Sequence, residues 1–215
     1  MSQNQIKKVK ITDLEIGTGV VYKDNEGKFF RLSWVEDSTS PRERGISGRQ
    51  LTFYTWIEGY RSPDACNKTM KEFYGSFGAK NTEELLENMD KKGYFVKPVY
   101  AMIHSGIYYS LKDFRDPYDS GLAGFIFVPK KWIVHESEAS FEGVAEMEVK
   151  EYSAWANGEV WAVERLDKEG NVIDGSHIVF GEGELEDIDD ALREAMIAPQ
   201  WEYEVAKVKT FTVLE

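Results

Sequence analysis

Apolar residues alternate with polar ones at a period of two in "FFRLSWV", and the turn formers "DNEG" separate that run from the apolar "VVYK". The pattern predicts a β-hairpin over residues 18–35, with Phe30, Leu32 and Trp34 on one face. "STSPRERGISGR", residues 38–49, breaks the alternation as a loop, and "LTFYTWI" resumes it as a strand. The period then changes. Cys66, Met70 and Phe73 follow one another at helical spacing behind Asp64, a candidate N-cap, while Leu85, Leu86 and Met89 follow Asn81 or Thr82 and stop before Gly93. "YFVKPVYAMI", "IYYSL" and "GFIFV" are three further strands and the expected middle of a sheet. From Ser140 to Ala156 the residues Phe141, Val144, Ala145, Val149, Tyr152 and Trp155 mark one stripe of a helix that Gly158 ends. "VWAVERLDKEGNVIDGSHIVF" reads as a hairpin about "KEGN", "DIDDALREAMIAP" as a capped helix closed by Pro199, and "YEVAKVKTFTVL" as a last strand.

These elements predict an α+β protein with a mixed, largely antiparallel sheet and helices near residues 65–75, 82–91, 140–156 and 187–197. Neither a repeat nor a long linker interrupts the 215 residues, so one continuous domain with two lobes is expected. Charge draws the lobes. Residues 132–215 hold 21 acidic and 6 basic side chains, a net of −15, which leaves 17 acidic and 20 basic before them. The division is a β-rich, near-neutral lobe over residues 1–134 and an acidic α+β lobe over 135–215. The acids form two groups, Glu138, Glu142, Glu146 and Glu148 beside the apolar helical stripe, and Glu182, Glu184, Glu186, Asp187, Asp189 and Asp190 around the next helix. Such a surface repels free nucleic acid and suits a basic partner. Arg42, Arg44, Arg49 and Arg61 beside "FYTWIEGY" are the concentrated basic set, but loop arginines next to Glu36, Asp37 and Glu43 are expected to pair with acids, and direct nucleic-acid binding is disfavoured.

The lone Cys66 excludes an intrachain disulfide and fits a reducing cytoplasm, and neither a long apolar run nor a secretory leader is legible, which argues against a membrane form. His104, His135 and His177 stand too far apart, and Cys66 too isolated, to write a metal motif; "GTG" and "GEG" fall short of a phosphate loop. No cofactor is expected.

Chemistry concentrates in "HSGIYYSLKDFRDPYDSGLAGF", where His104 could work with Asp116, Asp119 and Ser120 in a small hydrolase or nucleotide-processing enzyme. In an up-down meander, however, the "HSG" and "DPYDSG" turns lie at opposite ends of "IYYSL", roughly 17 Å apart at about 3.3 Å per residue. A pair of structural turns accounts for the same glycines, Asp116-Pro117 and Ser120.

"WVEDSTSPRE", "HSG", "DPYDSGLAGFIFV" and "EYSAWANGEVWAVE" together resemble a family of small uncharacterised proteins of tailed phages and other mobile elements, whose usual pattern runs "SPRE…DNLG…DHSG…WDSGQVGFIYV…EYDQYLTGDVYGY". The resemblance spans residues 31–198. It implies a phage origin and no established activity. Ile103 stands where that pattern has Asp, "GISG" replaces "DNLG", and "YDSG" replaces "WDSG". The expected function is an accessory protein in the cytoplasm of a host bacterium. It would bind and modulate a host protein, one that handles nucleic acid or serves defence and carries a basic groove, through its acidic surface.

Overall fold

The computed structural model describes residues 7–36, 38–43, 51–133, 137–173, 177–181, 183–198 and 200–206. Among the described residues there are four α-helices and ten strands; the strands form two sheets, and every pairing between them is antiparallel. The α+β class expected from the pattern is therefore the fold, with its strands divided between two sheets where one was expected. Two compact units follow the sheets. A split unit comprises residues 1–38 and 158–215, and an inserted unit comprises residues 39–157. These bounds differ from the charge division at residue 134, because strand pairing joins the two ends of the chain whatever their charge. Counted by unit, the split unit carries 21 acidic and 11 basic residues, and the inserted unit 17 and 15.

In the split unit, β1 (Lys8–Lys10), β2 (Tyr22–Lys23), β3 (Phe29–Trp34), β8 (Val160–Leu166), β9 (His177–Phe180) and β10 (Glu202–Val205) make a sheet ordered β1-β10-β2-β3-β8-β9. The expected hairpin at Asp24–Gly27 joins β2 to β3, with the Asp24 carboxylate accepting from the N–H groups of Glu26 and Lys28. Alternation along β3 turns Phe30 and Leu32 into a core with Tyr22, Trp161, Val163 and Tyr203; Trp34 continues the alternation but stays half exposed. Helix α4 (Leu185–Glu194) closes this core with Ile188, Ala191 and Leu192. It ends before the expected residue 197, where Met196 takes a positive φ of 57° and the N–H of Ile197 turns back to the carbonyl of Leu192. Pro199, the expected stop, lies outside the described residues.

In the inserted unit, β4 (Thr52–Thr55), β5 (Tyr94–Ile103), β6 (Ile107–Ser110) and β7 (Ser120–Pro129) are ordered β4-β7-β5-β6. Helix α3 (Glu138–Ala156) covers one face through Phe141, Ala145, Val149 and Tyr152, the expected stripe. Helices α1 (Met70–Ser76) and α2 (Thr82–Lys91) cover the other with Phe73, Leu85 and Met89. Hence "GFIFV" is an unbroken apolar run. In β7, Ile126 and Val128 face α3 while Phe125 and Phe127 face α1 and α2. Pro98 is tolerated within β5 because β6 pairs only with Tyr100–Ile103, so at Pro98 only β7 lies alongside. Asn81 caps α2 as expected, but α1 begins five residues later than the expected residue 65, at a Thr69–Glu72 capping box. Asp64, the expected cap, is engaged elsewhere.

Both edges of this sheet are sealed by side chains. On β6, the N–H groups of Ile107 and Tyr109 donate to Asn157 Oδ1 (2.9 Å) and Ser153 Oγ (3.0 Å) from the end of α3, and Asn157 Nδ2 returns a bond to the Ile107 carbonyl (2.8 Å). On β4, the N–H groups of Leu51, Phe53 and Thr55 donate to Glu148 (3.0 Å), Asp64 (2.7 Å) and Ser62 (3.0 Å). Unpaired edge groups are templates for added strands, and these bonds occupy them.

Candidate functional site

The strand order decides where the candidate catalytic residues lie. Because β7 returns to pair with β5 rather than with β6, Met102 faces Ser120, Ile103 faces Ile107, and the Ile103 N–H donates to the Asp119 carbonyl at 2.8 Å. The "HSG" turn and the end of the "DPYDSG" loop therefore meet at one end of β5. The meander separation does not apply. His104 Nδ1 lies 3.3 Å from Asp119 Oδ2, with side-chain exposures of 76% and 44%.

The other two members of that set are occupied by their own loop. Asp116 accepts from the N–H groups of Tyr118 (2.8 Å) and Asp119 (3.0 Å), and these bonds, that of Asp119 foremost, hold its carboxyl below the usual aspartate range. Ser120 Oγ donates to the Asp116 carbonyl at 2.6 Å. Ser105 and Arg115 adopt positive φ of 56° and 58°, a strained conformation for residues with a Cβ, and Tyr118 between the turns is 93% exposed. With its proton on Nδ1, His104 could donate to Asp119 and present Nε2 to solvent as a base. The Ser120 hydroxyl is turned to the Asp116 carbonyl, so the contact of His104 with Asp119 has the geometry of an acid–base pair.

The acids divide differently from the sequence grouping. On α3, Glu138 and Glu142 both bind Lys97 (3.2 and 3.4 Å), and Glu146 stands 4.0 Å from Lys112. Glu148, grouped with them as a surface acid, is instead buried and paired with Arg42. The helix turns it toward β4, three residues from the core residue Ala145. On α4, in the other unit, Glu184 occupies the N-cap position and Glu186 and Asp187 the first turn, where the helix dipole favours negative charge. Asp189 is bound by Arg193 at 2.8 Å. Glu186, Asp190 and Glu194 are exposed at successive i, i+4 positions, a ridge of carboxylates one turn apart. Glu194 was not in the sequence grouping, although the spacing of four could have found it. Glu182 lies outside the described residues.

The loop arginine Arg42 pairs with acids as expected, but with Asp64 and Glu148, which the sequence reading did not name as its partners, and in a buried setting. Arg42, in the "SPRE" stretch, is almost wholly buried; Nε and Nη2 donate to the two carboxylate oxygens of Asp64 (3.0 and 2.7 Å), Nη1 pairs with Glu148, and Nη2 also reaches the Leu51 carbonyl. It is a clasp between the 39–43 loop, β4 and α3.

Among the described residues, no group of three or more His, Cys, Asp or Glu is placed to hold a metal ion, and no helix is long and apolar enough to cross a membrane. No family model matches the chain, and neither the curated proteins nor the solved structures contain a significant match to it.

Proposed function

We propose that this chain is an accessory protein of a phage or mobile element that binds a basic host protein through the exposed acidic ridge of α4. The observation that carries the reading is the alignment of Glu186, Asp190 and Glu194, about 6 Å apart along the helix axis, on the side opposite Ile188, Ala191 and Leu192. Like charges at this spacing cost an isolated helix stability, so a cationic surface laid against them relieves repulsion and gains attraction together. The net −10 of the split unit, against −2 for the inserted one, adds long-range steering toward such a partner. The partner's basic groove would be one that otherwise handles nucleic acid, in the cytoplasm of the host.

The triple reversal Glu186→Lys, Asp190→Lys, Glu194→Lys tests this. The three side chains are outside the core, so each substitution should alter stability by no more than about 0.5 kcal/mol. A host protein retained by the wild-type chain at low salt should be lost with the reversed chain, and its retention should weaken as salt rises. Equal retention by both chains, or a partner indifferent to salt, would remove the ridge from the function.

The His104–Asp119 contact supports a second reading, a small hydrolase or nucleotide-processing activity with His104 as base and Asp119 as its orienting partner. In a panel of nucleotides and activated esters, turnover should fall by about 10²–10⁴-fold in His104→Ala and also drop in Asp119→Asn. Turnover that survives both substitutions would end this reading.

A further inference from the structure

We propose that the groove along the uncovered part of β5 binds an extended segment of a partner protein, apolar at alternate positions and carrying a lysine or arginine, as an added β-strand. Strand β5 runs for ten residues, but β6 lies beside only Tyr100–Ile103. The chain leaves that lane at Ser110, where the Lys112 N–H turns back to Ser110 Oγ (2.9 Å). The register shows which backbone groups face the empty part. Lys130 N–H donates to the Gly93 carbonyl, in line with the pairs from Tyr94 with Pro129 to Val99 with Gly124. Phe95 and Lys97 therefore bond to β7, and Tyr94, Val96 and Pro98 turn their backbone groups outward. Pro98 has no N–H to leave unsatisfied there. Among the described residues nothing bonds the Val96 N–H or carbonyl, whereas the outer edges of β4 and β6 are filled by side chains.

The lane is walled to suit a peptide. A cavity of about 320 Å³ is lined both by Leu86 and Asp90 of α2 and by Glu138 and Phe141 of α3. Those helices cover opposite faces of the sheet, so one cavity can reach both only at the edge of β5. An added strand would send its side chains alternately to the two walls, over Leu86 on one side and over the stacked rings of Phe95 and Phe141 on the other. The Val96 N–H and carbonyl supply the bond pair of an antiparallel neighbour. Charge sets the rest of the occupant's chemistry. Asp90 pairs with Lys130 and Glu138 with Lys97, but the carboxylates are the outer members, 66% and 69% exposed against 32% and 25% for the lysines. Glu142, also bound to Lys97, adds a further negative charge, so the rim presents carboxylate and attracts a cationic side chain. The groove belongs to the inserted unit and stands or falls independently of the α4 ridge.

The test selects, on the full chain, from blocked random peptides of about seven residues, enough to span the lane. Enriched sequences should alternate apolar residues and carry at least one lysine or arginine, and the tightest of them should shift the Val96 amide resonance. Val96→Pro removes that donor at a position where, as at Pro98, β7 loses no bond, and should weaken the same peptide at least about tenfold. Asp90→Lys with Glu138→Lys, both on the surface, should turn the selection toward aspartate and glutamate. Absence of any enrichment overturns the proposal, as do enriched peptides that leave the Val96 amide unmoved and bind Val96→Pro as tightly as wild type. A Val96 amide whose exchange slows with protein concentration alone would make a second copy the occupant and overturns it too. If Val96→Pro does not fold, the rim reversal decides: a selection turned toward acidic peptides supports the groove, and an unchanged one overturns it.

Discussion

Arg42→Ala should destabilise the inserted unit by about 3–5 kcal/mol, the largest loss expected from any single charged residue among the described ones. The reason is what stays behind. Without the guanidinium, Glu148 and Asp64 face one another beside the Leu51 and Phe53 amides, two carboxylates with no cation between them. An exposed ion pair would matter far less. The Lys91–Glu87 pair, roughly 70% exposed on both sides, is worth at most about 1 kcal/mol. Glu148 gives the prediction a direction in pH. Burial holds its carboxyl above the usual glutamate range, in spite of the Leu51 N–H and Arg42, because one arginine is shared between two acids. A carboxyl with a raised folded-state pKa contributes stability that is fully present below its unfolded value and is lost as pH rises through the folded value. Glu148→Gln removes that dependence and keeps an acceptor for Leu51 N–H. It should therefore unfold within about 1 kcal/mol of wild type near neutrality and gain on wild type as pH rises from about 4 toward 7. Urea unfolding of the three proteins across that range measures all of this. A loss under about 1 kcal/mol in Arg42→Ala would show that the clasp is solvated in solution.

The same residues show what a sequence can and cannot disclose. Local signals were legible: the turn at Asp24–Gly27, the cap at Asn81 and the stripe from Phe141 to Trp155 each depend on neighbours within a few turns of chain. Glu148 illustrates the limit. It belongs to the sequence spacing of surface acids, and only the approach of β4, 97 residues away in sequence, turns it into a buried partner. Asp64 has a plausible capping position ahead of Cys66, but Thr69 with Glu72 makes a better cap and Arg42 makes a better use of the aspartate. The separation of His104 from Asp119 failed for a topological reason. Adjacent strands in sequence need not be adjacent in a sheet, and pairing β7 with β5 brings together two turns that a meander keeps apart. The grouping of acids by segment missed the unit boundary at residue 157, which assigns the α3 acids to the lysines of the inserted unit and leaves the α4 ridge in the split one.

Gly124→Ala should cost about 3 kcal/mol or more and detach β4 from β7, although it adds a single methyl group. A Cβ at residue 124 would lie 1.9 Å from the Tyr54 carbonyl oxygen and 2.8 Å from the Thr55 Cα, both main-chain atoms that no rotamer change can move. Thr55 faces Gly124 across the ladder, so the strands can separate only by giving up their pairing there, and with it the burial of Phe53 and the outward sealing of the edge. Gly121 in the same strand is the internal control. A Cβ there meets nothing within 4 Å and its φ is not positive, so Gly121→Ala should be neutral or should stabilise by up to about 1 kcal/mol, the entropic difference between the two residues in a strand. Near-ultraviolet circular dichroism reports the detachment directly, because Tyr54 and Trp56 pack edge-on to one another and against Phe73. Loss of that signal with retained far-ultraviolet helix would locate the damage at β4. Equal unfolding free energies for the two alanine variants would mean that β4 does not approach β7 this closely in solution.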